Sequence, residues 1–171
     1  MCGNNFLMQY WNQLSALREG KNPPIFRIPE DQISTPTYAP YLAEARRLIG
    51  MTSRVKLLEG AAEKLPFAET SLDLVVSSFL LHELPAEIRG KALAEMARVL
   101  RPNGLVVAVD SIQRGDHAAW DGLLDLFPHY FHEPYYADYV GSRLEDAGAD
   151  LGLSLVSTER AFLSKVVAWQ K

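Results

Sequence analysis

Leu72-Asp73-Leu74-Val75-Val76-Ser77-Ser78 is followed, after a short link, by Ala86 to Leu100 and then by Leu105-Val106-Val107-Ala108-Val109. The first run is almost wholly apolar, as befits a strand covered on both faces. The second places Ile88, Leu93, Met96, Ala97 and Leu100 on one side at helical spacing, which predicts an amphipathic helix. Arg101-Pro102-Asn103-Gly104 suits a tight reversal, because Pro fixes one backbone angle and Asn-Gly tolerates a left-handed one. The third run reads as a second buried strand. Strand, helix and strand at this length form a βαβ unit, so the two strands should be parallel and joined by a right-handed crossover. The fold class is therefore α/β, a doubly wound and mainly parallel sheet.

Working downstream, His117 to Phe127 and Tyr136 to Ala147 predict two helices, separated by the aromatic segment Phe127 to Tyr136. Leu153 to Ser157 and Phe162 to Trp169 predict a closing antiparallel strand pair. Upstream, Val55 to Leu58 reads as a short strand and Tyr41 to Leu48 as a helix ending at Gly50. Before these lies Asn22 to Pro40, with five prolines, in which only Ile25 to Ile28 could be a strand, at an edge or end position. Leu7, Tyr10, Trp11, Leu14 and Leu17 recur at helical spacing over residues 6 to 19, with Asn4 or Asn5 as cap and Gly20 as stop. This divides the chain into a segment of residues 1–38 and a single globular unit of residues 39–171.

Composition narrows the functions available. With 171 residues, 48% hydrophobic and 22% charged, the chain supports one domain with a proper core. A net charge of −4 argues against a nucleic-acid phosphate track. Cys2 is the one cysteine, so neither an internal disulfide nor a cysteine metal site can form. No apolar run approaches the roughly 20 residues of a membrane span, and the N-terminus lacks the pattern of a secretory signal. The expectation is a cytoplasmic protein with no nucleic-acid or membrane partner.

Glu59-Gly60-Ala61-Ala62-Glu63-Lys64-Leu65-Pro66-Phe67, followed by Ser71-Leu72-Asp73, resembles the loop and strand of the class I S-adenosylmethionine (AdoMet) dependent methyltransferases of the type 11, UbiE-like group. Arg98-Val99-Leu100-Arg101-Pro102-Asn103-Gly104 resembles that family's entry to its next strand, and Tyr41 to Arg46 its helix after the second strand. The likeness spans roughly residues 40–171. It implies a Rossmann-like sheet that closes in an antiparallel hairpin, AdoMet as cofactor and a small-molecule methyl acceptor. It also assigns cofactor contacts to Gly60, Ala61, Ala62 and Glu63 and to Ser77, Ser78 and Phe79. The residues are chemically suited to this. Ligands of open parallel sheets bind outside the carboxyl ends of strands, and a Gly with two Ala lets a flat base approach the backbone. Packing alone also explains Ala61 and Ala62, and strand termination also explains Ser77 and Ser78.

Two elements of the family pattern are missing. The family's Gly-x-Gly-x-Gly loop has no counterpart before Gly60, where only Gly3, Gly20 and Gly50 occur. The acidic residue that would hold the ribose hydroxyls falls at about Pro36. A milder departure places Ala61 where a carboxylate commonly caps the adenine amino group. Without a first strand the sheet loses its centre. Either Ile25 to Ile28 fills that slot, or the sheet closes without it, or a second chain supplies it. Homodimerisation through the exposed edge, in a truncated or non-catalytic relic acting as a partner-binding module, is the alternative to an active enzyme. A nicotinamide-type dehydrogenase is disfavoured, since Gly-x-Gly-x-x-Gly is absent.

Leu81-His82-Glu83-Leu84-Pro85 follows the first buried strand, near where the transferred methyl group would lie. His82 or Glu83 is the candidate general base, needed where the acceptor must lose a proton. Packing of His82 and solvation of Glu83 is the plainer alternative. In Phe127-Pro128-His129-Tyr130-Phe131-His132-Glu133-Pro134-Tyr135-Tyr136, the resemblance implies a cap over the substrate pocket. His129, Tyr130 and His132 are its candidate acceptor contacts, and plain packing of the cap serves equally well. No metal is expected, because His129, His132 and Glu133 lack a further ligand in the sequence.

Overall fold

The computed structural model describes residues 43–47, 57–58, 60–130 and 133–171. The chain divides into two compact units, Met1–Ala62 and Glu63–Lys171. In the first, residues 43–47 are helical, within the helix expected from Tyr41 to Leu48. Leu57 and Leu58 are half-buried and belong to no strand, so this part of the expected Val55–Leu58 strand is corrected: they have no ladder partner among the described residues. Val55 and Lys56, the helix expected over residues 6 to 19, Ile25 to Ile28 and Pro36 lie outside the described residues.

The second unit is a four-stranded sheet. Its strands are β1 (Leu72–Ser78), β2 (Leu100–Ser111), β3 (Ser154–Ala161) and β4 (Ser164–Gln170), in the order β1-β2-β4-β3. β1 and β2 are parallel, joined by helix α1 (Ala86–Val99) as the periodicities predict. β4 lies antiparallel to both β2 and β3. The core is built by Ala92, Leu93, Met96, Ala97 and Val99 of α1, Val106 and Ala108 of β2, and Val167 and Trp169 of β4. No helix among the described residues is long and apolar enough to cross a membrane.

Several expectations shift. β1 is not covered on both faces: Leu74 is 50% exposed. Among the described residues the strand pairs with β2 alone. The reversal at Arg101-Gly104 is accommodated inside β2. Leu72 pairs with Leu100 and Leu74 already with Leu105, so four residues bulge out, and Asn103 takes φ +65°. A bulge of this kind lets the chain turn without leaving the sheet. Lys171 secures it, accepting the Asn103 N–H and donating its own to Gly104 O, while its Nζ reaches Ala97 O and Leu100 O at the end of α1.

The helix expected from His117 becomes a 3-10 turn (Ala118–Trp120) leading into α2 (Asp121–Tyr130), which runs into the aromatic segment. The helix expected over Tyr136 to Ala147 stops early. α3 spans Tyr136–Gly141, Ser142 is extended, and a 3-10 stretch covers Leu144–Leu151. The buried Gln113 side chain explains the break. Its Nε2 donates to Tyr139 O and Ser142 Oγ and its Oε1 accepts Leu144 N–H, satisfying the groups that a continuous helix would have paired internally.

Candidate active site

The site grows from the carboxyl end of β2. Asp110 follows the apolar run Val106 to Val109 and is fully buried. Its Oδ2 accepts Leu81 N–H at 2.9 Å, and its Oδ1 accepts Ser111 N–H at 2.8 Å and contacts His82 Nδ1 at 2.5 Å. A carboxylate that accepts two backbone N–H groups acts as an acceptor to the imidazole too. His82 therefore carries its proton on Nδ1, and Nε2 is left for chemistry.

The turn that presents His82 is a single 3-10 turn, Leu81–Glu83, with no side-chain cap of its own. It follows Phe79, whose φ of +50° swings the chain out of β1 while its N–H still bonds Val109 O. His82 is 7% exposed and ringed by aromatic edges: Phe79 at 6.4 Å, Tyr136 at 5.9 Å and Tyr139 at 6.1 Å between centroids. Phe127 packs on Tyr136 at 4.6 Å. Tyr136 shares a 2.7 Å hydrogen bond with Ser111 Oγ, and Tyr139 donates to Ser111 O at 2.9 Å.

Electrostatics single out His82. Burial pushes its pKa down, yet the charge and hydrogen bond of Asp110, helped by Glu83 and Glu133, hold it above the ordinary imidazole value. Burial pushes the Tyr139 phenol far up, and also raises Tyr136 against the pull of its bond to Ser111. Both phenols stay protonated and serve as donors. Glu83 Oε1 lies 3.9 Å from His82 Nε2, and one ligand atom each from His82, Glu83 and Glu133 fall within 4.8 Å of one another, close enough to attract a cation.

The residues expected from sequence are distributed as follows. His82 and Glu83 stand together in the turn. Ser77 is buried with its hydroxyl lacking a hydrogen-bond partner among the described residues, and Glu63 Oε2 is in the same state. Ser78 pairs with Val109 across the sheet, and Phe79 touches the His82 ring edge-on. Gly60, Ala61 and Ala62 close the first unit, with Ala61 and Ala62 buried. Tyr130 is 79% exposed, and His129 lies in α2. His132 is outside the described residues, as is the His129 side chain. Sequence reasoning missed Asp110, Tyr136 and Tyr139. A carboxylate ending a buried parallel strand was the available signal for Asp110. The two tyrosines gave only a helical spacing, which is equally that of core packing.

Residues 33–108 match the family model described as a methyltransferase domain. An uncharacterized protein of Haemophilus influenzae is 41% identical over 69 residues, 40% of this chain and 28% of its own length. The demethylmenaquinone methyltransferase of Bacillus velezensis is 41% identical over 64 residues, 37% of this chain and 27% of its own. Among solved structures, a SAM dependent methyltransferase from Aquifex aeolicus superposes with a TM-score of 0.53 at 20% identity, covering 80% of this chain and 64% of that one. PigF with SAH gives 0.60 at 17% identity, over 86% and 43%. The fold is that of the class I AdoMet-dependent methyltransferases, and residues 33–108 are similar to their methyltransferase domain. The chain spans under a third of the length of these two curated relatives.

Proposed function

We propose that this chain transfers a methyl group from AdoMet to a small-molecule acceptor that loses a proton, with His82 as the general base. The observation that carries this is the 2.5 Å contact between His82 Nδ1 and a buried Asp110 carboxylate itself fixed by two backbone N–H groups. That arrangement fixes the tautomer, leaves Nε2 as the proton acceptor and stabilises the imidazolium once it has taken the proton. Phe79, Phe127, Tyr136 and Tyr139 supply an apolar wall that excludes water and favours a flat acceptor.

The described residues fit the cofactor in part. Ser77 Oγ and Glu63 Oε2, buried and without partners among the described residues, would hold its polar groups, beside the backbone at Phe79. AdoMet, when bound, supplies a methyl group on a sulfonium. The chain's share of the work is then positioning in line and taking up the proton. The proposed setting is the cytoplasm.

A second reading, a non-catalytic partner-binding relic, is favoured by the absence of Gly-x-Gly-x-Gly before Gly60. Calorimetric titration with AdoMet and with its demethylated product separates the two. One site per chain with clear heat supports the enzyme, whereas a flat titration on a cooperatively folded chain supports the relic.

A further inference from the structure

Arg89 is a charge on the buried face of α1, 7% exposed, in a position where a helix of this amphipathicity would ordinarily carry an aliphatic residue. Each of its three nitrogens donates a hydrogen bond. Nε donates to Leu81 O at 2.9 Å and Nη2 to Leu84 O at 3.0 Å, so the two carbonyls it grips bracket His82. Nη1 donates to Asp138 Oδ2 of α3 at 3.0 Å, and the guanidinium carbon lies 5.3 Å from the centre of the Tyr139 ring. Tyr139 in turn bonds Ser111 O, the residue after Asp110, and sits edge-on to His82. The chain of contacts closes on itself: Arg89, the Leu81–Leu84 turn, His82, Asp110, Ser111, Tyr139 and back to Arg89. Packing alone does not need this. Burying a guanidinium is costly, and an apolar side chain of similar volume would fill the same space.

We propose that Arg89 is a positioning residue that holds the His82 turn and the α3 cap in one register, so that the base and the wall of the acceptor pocket move as one body. The forked guanidinium donates to carbonyls at both ends of the 3-10 turn and so holds them at a fixed separation. This rests on His82 being the base, and its test is made without cofactor or acceptor, so the two ideas fail separately.

The groups facing His82 are Asp110, Glu83 and Glu133, with the rings of Phe79, Tyr136 and Tyr139. Arg89→Lys keeps the positive charge but cannot span two carbonyls and a carboxylate with the same geometry, so a change at His82 reports position rather than charge. The experiment is an NMR titration of the full chain, with His82 assigned through His82→Asn, together with amide hydrogen exchange. In Arg89→Lys the His82 midpoint should fall towards that of an ordinary histidine. Amides of Leu81–Leu84 and α3 should exchange at least about fivefold faster. Asp138→Asn, which cuts the arm from Arg89 to α3, should accelerate exchange in α3 and, to a smaller extent, in Leu81–Leu84. An unmoved His82 midpoint in Arg89→Lys, or faster exchange spread evenly over the domain, overturns the proposal. Should Arg89→Lys not fold, Asp138→Asn decides: faster exchange in both α3 and the Leu81–Leu84 amides supports the coupling, and a change confined to α3, or no change, overturns it. A wild-type His82 midpoint that is not raised counts instead against His82 as the base.

Discussion

Asp110 and His82 are 28 positions apart in the chain and meet in a buried contact on which the proposed chemistry rests. Its sign with pH follows from linkage. A histidine whose pKa is higher folded than unfolded binds more protons in the native state, so its contribution is complete below the unfolded value of about 6.5 and disappears as pH rises through the folded value. Melting curves from pH 6 to 9 should therefore show wild type losing stability across that window. Asp110→Asn, which removes the main attraction for the proton, should flatten this slope. An identical pH dependence in both would remove the dyad from consideration. At the same scale, Phe79→Ala should weaken AdoMet binding in calorimetry, because it removes a ring at the strand exit. Unchanged affinity would mean the cofactor site lies elsewhere.

Between elements, the packing is tight where backbones approach. A Cβ on Gly104 would come within 2.9 Å of Arg101 O and 3.1 Å of Asp73 O, both backbone atoms that cannot step aside. Gly104→Ala should cost about 1–3 kcal/mol in chemical denaturation. The bulge that feeds β2, and with it the placement of Asp110, should suffer first. Gly148 is constrained differently. Its added Cβ would meet Trp169 Cδ1 at 2.7 Å and Leu153 Cβ at 3.1 Å, inside the contact that docks the Leu144–Leu151 stretch on β4. Lys165 is the polar counterpart of that contact. It is 1% exposed, with Nζ at 2.9 Å from both Glu145 Oε1 and Asp116 Oδ2. Lys165→Met would leave two carboxylates without their cation and should destabilise by about 3–5 kcal/mol. A loss below about 1 kcal/mol would show that water replaces the ammonium.

For the whole molecule, the measurement that joins fold to function is ligand-dependent stability. AdoMet at about 100 times its dissociation constant should add about 2.7 kcal/mol, a rise of several degrees in melting temperature. No shift would favour the partner-binding alternative. The fold class was legible in the chain because apolar periodicity is local: the runs at Leu72 and Leu105 and the helix between them each declare their element within a few residues, and their order permits few topologies. His82 and Glu83 were legible for the same reason, being neighbours at the end of a strand. Where α3 stops, what Arg89 grips and which carboxylate stands behind His82 were not. Each depends on a partner 5 to 49 positions away, such as Gln113 for the break at Ser142 or Asp138 for Arg89. The sequence by itself determined the strand, helix and strand from Leu72 to Val109 and the closing strand pair, since hydrophobic burial acts residue by residue along the chain. The tertiary structure alone decided which polar groups meet, because a buried charge or donor must be satisfied by whatever the folded chain brings within about 3 Å.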